Sequence, residues 1–230
     1  MSIYFVSINT KYYLVRINII ENNNKKAGRP QKFDREQVLD KLLHLFWLQG
    51  YEGTSIAEIV KVAGINPPTL YASFGSKEQV FSLVMERYIS TYMSPVIASI
   101  EEPGLSVLAK LELFLNRFIE VITQPDYPHG CMLLFELFTY HKKPSETFTR
   151  LRASGQAFFA ALCALIERGI ANKEIHTMGT AQETAILILT FEKGLAMQSK
   201  AGTGRDTLLH ISHQFTQMLS INSKNRLKDD

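Results

Sequence analysis

The chain has 230 residues, 46% hydrophobic and 20% charged, with a formal net charge of +3, enough for one large domain or a small one joined to a larger one. Two cysteines, Cys131 and Cys163, with no CxxC and no Cys/His cluster at zinc-finger spacing, argue against a disulfide scaffold or structural zinc and fit a reducing cytoplasm. No apolar run reaches the roughly 18 residues that a membrane span needs.

The charge is unevenly placed. Residues 25–35, KKAGRPQKFDR, hold five basic groups against one acidic, whereas 14 Lys/Arg balance 14 Asp/Glu from Tyr88 to the end. The positive excess is therefore an arm near the N-terminus, where an electrostatic contact would sit. Residues 1–24, rich in Ile, Tyr and Asn, are expected to form a poorly ordered extension. Lys11 and Arg16 interrupt any apolar core of a signal peptide there.

Helical periodicity dominates from residue 33. Val38, Leu39, Leu42, Leu43, Phe46 and Trp47 form an amphipathic stripe, with Asp34 and Gln37 suited to a capping box and Gly50 to a stop. A short helix follows, capped by Thr54 or Ser55 and closed by Gly64. The next stretch, GINPPTLYASFGSKE, carries Pro67 and Pro68 inside a helical protein. A residue before proline is pushed into the extended geometry of an N-cap, and the first helical positions need no amide. Asn66 is thus predicted to cap a helix through the amide of Thr69, with Gly75 ending it and Ser76–Gln79 capping the next. Residues 54–74 read as a helix-turn-helix. The fourth helix should run to about Pro95, which kinks or ends it, and further helices are expected at 104–123, 130–141, 144–172, 180–200 and 204–221. The fold class is all-α, in two parts: an N-terminal three-helix part with the helix-turn-helix (25–80), then a longer helical part (81–225).

Gly50-Tyr51, Thr54, Gly64-Ile65, Thr69-Leu70-Tyr71, Phe74 and Ser76-Lys77-Glu78, in this order and spacing, resemble the DNA-binding domain of the TetR family of bacterial transcriptional repressors over about residues 28–88. The remainder is similar to that family only in length and helical character; the resemblance implies that 25–80 is a helix-turn-helix DNA-binding domain and 81–225 a helical ligand-binding and dimerisation domain. The resemblance implies phosphate contacts from Thr54, Tyr71 and Lys77. Base edges would meet Asn66, Pro67, Pro68, Thr69, Tyr71, Ala72 and Ser73, a surface with no Arg, Lys, Gln or acid. Thymine-methyl contact and DNA shape would then carry specificity, helped by Arg29 with Lys25 and Lys26 in a minor groove or along phosphates. Tyr51 and the lone Trp47 are assigned to packing.

In the C-terminal part, a small-molecule inducer would meet aromatics at helical spacing. The candidates are Phe114, Phe118, Phe135, Phe138, Phe158 and Phe191, with Asn116, Glu136, His141 and Gln156 as polar ones. Cys131, in PHGCMLL, resembles the Gly-Cys that opens the corresponding helix in some members of the family. A thiol at a helix N-terminus near His129 would have a lowered pKa, suiting a redox or electrophile sensor. His129, Cys131, Met132 and His141 could alternatively offer metal ligands. The resemblance further implies a homodimer. Its last two long helices would pair through Ala181, Ala185, Ile188, Leu189, Leu195 and Leu208, Ile211, Phe215, Leu219 on a palindromic, double-stranded operator. No cofactor, catalytic motif or glycine-rich phosphate loop is recognisable, so an enzyme is not expected.

Overall fold

The computed structural model describes residues 33–139 and 146–220. The basic arm with Arg29 and the extension before it lie outside them, as do Tyr140 and His141. The described chain is α-helical, with one isolated antiparallel bridge between Ile175 and Ser220.

The four N-terminal helices follow from their caps. Asp34 accepts the amides of Glu36 and Gln37 and opens α1, Arg35–Gly53, which Gly50 interrupts at φ 72°. Ser55, not Thr54, caps α2, Ile56–Ala63, in a capping box with Glu58, and Gly64 closes it in the left-handed region. Asn66 caps α3, Pro67–Phe74, by accepting the Thr69 amide at 2.9 Å. Ser76 and Gln79 box the start of α4, Lys77–Tyr88. One apolar core joins them through Leu42, Phe46, Ile59, Leu70, Val80, Phe81 and Val84, while Ile56 and Val60 are only partly buried. Residue 80 lies within the continuous α4, which packs along α1 and is tied to it where Arg87 meets Glu36 and Asp40.

Pro95 does not end the helical path. A π turn, Ile89–Met93, hands over to α5, Ser94–Ala98, and a 3-10 turn carries on to Glu101. Proline has no N–H and its ring crowds the carbonyl four residues back, so the ladder widens just before it. The Ser94 amide bonds Ile89 instead, and the Ser94 hydroxyl donates to the same carbonyl at 3.0 Å. The carbonyl of Pro95 accepts the Ser99 hydroxyl at 3.1 Å and Arg117 at 3.2 Å.

Helix α6, Val107–Ile122, is the centre of the second part, burying Leu111, Phe114, Leu115, Phe118, Ile119 and Ile122. Around it pack α5, α8 (Glu146–Ala171), α9 (Ala181–Lys200) and α10 (Arg205–Met218). The short α7, Met132–Thr139, lies against α1 instead. That contact is organised by Trp47. Its indole N–H donates to the Gly130 carbonyl at 3.1 Å, and its rings meet Tyr88, Tyr92 and Tyr127 with centroids 4.8–5.5 Å away. Trp47 is core, as its position on the stripe implies, but it joins two parts of the molecule.

Trp47→Phe keeps an aromatic ring while leaving a buried carbonyl without its donor, which costs roughly 1–3 kcal/mol. Urea unfolding is expected to show that loss, with the m-value unchanged. A variant as stable as the parent would mean that packing alone makes the junction.

Candidate functional site

Helix α3 presents its first turn to solvent. Asn66, Pro67 and Pro68 are exposed, Thr69 and Ser73 are half-buried, and Tyr71 is 53% exposed. The apolar side of the helix, Leu70 and Phe74, is held in the core. The start of this helix offers little to an anion. Pro67 and Pro68 have no N–H, and the next amide, that of Thr69, is spent on Asn66. What is left is a surface of ring methylenes, a hydroxyl and a phenol, suited to base methyls rather than phosphates.

Two expected phosphate contacts differ in their surroundings. Thr54 is 1% exposed and donates its hydroxyl to the Gly50 carbonyl at 2.7 Å, so it braces the kink of α1 instead of facing outward. Its β-branched, hydroxylic side chain suits either role, which is why sequence alone does not separate them. Lys77 lies over the Tyr51 ring, 4.3 Å from the centroid, and Tyr51 itself is buried against Phe81. The ammonium is thus positioned beside the start of α4, next to Tyr71's helix.

The second feature is a cavity of about 590 Å3 in the C-terminal part. Its wall comes from the π turn and α5 (Ile89, Met93, Ser94, Ile97), from α6 (Phe114), α7 (Leu133, Leu134), α8 (Phe158, Phe159, Gln156) and α9 (Leu189, Glu192). Phe114 and Phe158 therefore line it as expected, with centroids 5.4 Å apart. Phe118 does not, because it is fully buried in the core. Phe135 stays off the wall and packs beside Gly130, where a Cβ on the glycine would meet its ring at 2.8 Å. Phe191 stacks on Phe215 at 4.0 Å, joining α9 to α10. Asn116 is not on the wall, and the side chains of Phe138 and Glu136 lie outside the described residues.

Cys131 immediately precedes α7, as expected, but is sealed at 1% exposure and does not line the cavity. The Tyr88 hydroxyl donates to its Sγ at 3.3 Å. Burial, with the nearby Glu192 carboxylate, pushes the thiol up to about 11, the opposite of what a thiolate sensor requires. Helix-start amides of Leu133 and Leu134 act in the expected direction and are outweighed. His141 lies outside the described residues; among those described, no three His, Cys, Asp or Glu gather as a metal site.

Glu192 is the site residue that periodicity should have flagged. It falls on the buried stripe of α9 with Ala185, Ile188, Leu195 and Ser199, and is 7% exposed. Burial raises its carboxyl from 4.5 to about 7, against a smaller pull from Lys193.

Residues 38–84 match the family model for bacterial regulatory proteins, tetR family, and residues 107–215 match that of the tetracyclin repressor-like C-terminal domain. The HTH-type transcriptional repressor ComR of Escherichia coli is 29% identical over 188 residues, 82% of this chain and 90% of ComR. BdcR, another HTH-type transcriptional repressor of Escherichia coli, is 38% identical over 116 residues, 50% of this chain and 58% of BdcR. Among solved structures, a cysteine-substituted CifR, a TetR family transcriptional regulator complexed with 26-bp double-strand operator DNA, aligns with TM-score 0.65. It is 26% identical, and the match covers 82% of this chain and 98% of that one.

The buried carboxyl makes stability depend on pH with a definite sign. Below pH 4.5 Glu192 is neutral in both the folded and unfolded chain; as pH rises through about 7, the unfolded chain releases the proton more readily and the fold weakens. The full difference is about 3 kcal/mol. Glu192→Gln should thus match the parent near pH 4.5 and exceed it by roughly 2–3 kcal/mol at pH 8. Parallel denaturation curves across that range would show that the carboxyl is not desolvated.

Proposed function

The chain belongs to the tetR family of bacterial regulatory proteins, helix-turn-helix DNA-binding transcription regulators, and we propose that it is a homodimeric repressor. It binds a two-fold symmetric operator through α3 and leaves when a small molecule fills the C-terminal cavity. Such a protein works in the cytoplasm with its DNA; no described helix is long and apolar enough to cross a membrane.

One observation carries the reading: the cavity and the reading head share a helical path. The π turn that lines the cavity is the direct continuation of α4, and only two residues separate α4 from the end of α3. A ligand that prefers one setting of that path over another shifts the population by its difference in affinity, and by no more. π turns also concentrate at functional places because their widened ladder is easily altered. Domains at 25–80 and 81–225 would accordingly meet within α4 instead of across a linker.

The face for a second copy is not the stripe that periodicity suggested. Ala185, Ile188, Leu195, Leu208 and Leu219 are buried within the chain, and Leu189, Ile211 and Phe215 partly so. Ile186, Leu187 and Met197 of α9 and Met218 of α10 stand exposed instead, with Gly194 open on the same helix. A two-fold pairing of α9 and α10 would cover them. Ile186 also lines the cavity, so pairing and ligand entry act on one helix.

Gel shifts on the DNA flanking its own gene test the reading. Thr69→Ala and Tyr71→Ala are each expected to weaken binding about tenfold, more than Pro68→Ala does. The reverse ranking would turn the helix face around, and sequence-independent binding would replace the regulator with a structural DNA binder.

Leu187→Arg places a charge on a residue 52% exposed in the single chain, so folding should survive while pairing does not. Sedimentation at micromolar concentration should change from dimer to monomer. A dimer that persists would move the interface off α9.

A further inference from the structure

We propose that the cavity takes a small apolar molecule carrying one cationic nitrogen, such as an aromatic amine in its ammonium form, whose head pairs with the Glu192 carboxylate. This deepens the ligand-responsive reading above and rests on it.

Glu192 lines the cavity from α9 and is more than nine-tenths buried. Among the described residues no hydrogen bond or ion pair reaches its carboxylate, whereas the fully buried Tyr88, an electrostatic neighbour of Glu192, donates to Cys131. An unpaired carboxyl in an apolar wall is costly to keep, and a leucine would pack there at no such cost. A partner that arrives with the ligand removes the anomaly.

The rest of the wall decides what that partner carries. Met93, Phe114, Leu133 and Phe158 make an apolar wall with two aromatic rings in it, suited to an apolar or aromatic body. Arg152 and Lys193 also line the cavity, but both are exposed, so water screens them. An anionic ligand could meet those two only at the rim, leaving its body beside a bare carboxylate. A cationic head placed at depth satisfies Glu192 and stays clear of the rim. The volume, about 590 Å3, suits a molecule of one to three rings.

Calorimetry with three probes of one shape tests this: 1-naphthylmethylamine, 1-naphthylmethanol and 1-naphthylacetate. The parent is expected to bind the amine at least about tenfold tighter than the acetate. Glu192→Gln should lose about tenfold for the amine and leave the alcohol nearly unchanged. Circular dichroism on Glu192→Gln confirms that its fold is kept. Equal amine affinity in the two proteins, tighter binding of the acetate, or no amine binding at millimolar concentration overturns the proposal. The same probes added to the protein–DNA complex separate the two readings. If the alcohol or acetate releases DNA and the amine does not, the regulator stands and the cationic ligand falls. A chain without sequence-dependent DNA binding fails the earlier reading whatever the calorimetry gives.

Discussion

The carbonyl of Gly130 is where the molecule is joined. It accepts the indole N–H of Trp47 from α1, and the Gly130 amide in turn donates to the Ile122 carbonyl at 3.0 Å, which also takes the Ser199 hydroxyl from α9. Three parts of the chain, far apart in sequence, are thus linked through the backbone of Gly130 and Ile122. The backbone there has φ 97°, and a Cβ would run into Phe135, so the position needs glycine on both counts. Buried amide bonds of this kind are modest in net worth but costly to break on one side only, which makes the junction all-or-none.

That junction also borders the cavity. Trp47 packs edge-on against Tyr88, the last residue of α4, and Tyr88 donates to Cys131 at the start of α7. Leu133 and Leu134 of α7 and the π turn after α4 both line the cavity. On the proposed reading, a ligand between them would bear on α1 through Trp47 and on α4 directly. The thiol fits this arrangement as a small buried acceptor for a tyrosine, and its raised pKa follows from the same dry surroundings that leave Glu192 costly. Reactivity and burial oppose each other here, and burial prevails.

Local chemistry was the most legible part of the sequence. Asn66 capping through Thr69, the Ser76–Gln79 box and the stop at Gly64 each depend on residues within a few positions, and each is seen. The longer helices begin and end within a few residues of their expected bounds for the same reason. What needed the third dimension was choice of face. Period 3.6 shows that α9 has an apolar stripe, but not whether the stripe meets its own chain or another; its own core took Ala185, Ile188 and Leu195. Aromatic spacing in the same way selects Phe114 and Phe118 equally, four residues apart on one helix face, though only the first reaches the cavity. Pro95 marks an interruption, as expected, but that the interruption takes the form of a π turn leaves no separate mark in the sequence. Glu192 left a mark that went unread, an acid on an apolar stripe.

The reading head shows how far its own chemistry constrains affinity. Several of its cations are already engaged: Arg87 with Glu36 and Asp40, Arg35 over the Phe74 ring, Lys77 over Tyr51. The two prolines remove the amides with which a helix start usually holds phosphate, and Asn66 takes the third. Helix α3 is therefore a reader with little grip. On the proposed reading phosphate attraction would come from elsewhere, and the dense positive charge of the sequence lies at residues 25–35. On the proposed reading, recognition and attraction would be divided between two segments, an apolar helix discriminating by methyl contact and shape, and a basic arm that holds. In such a division, salt weakens the arm's contribution and leaves the helix's preference among sequences largely intact, because methyl contacts release no counterions.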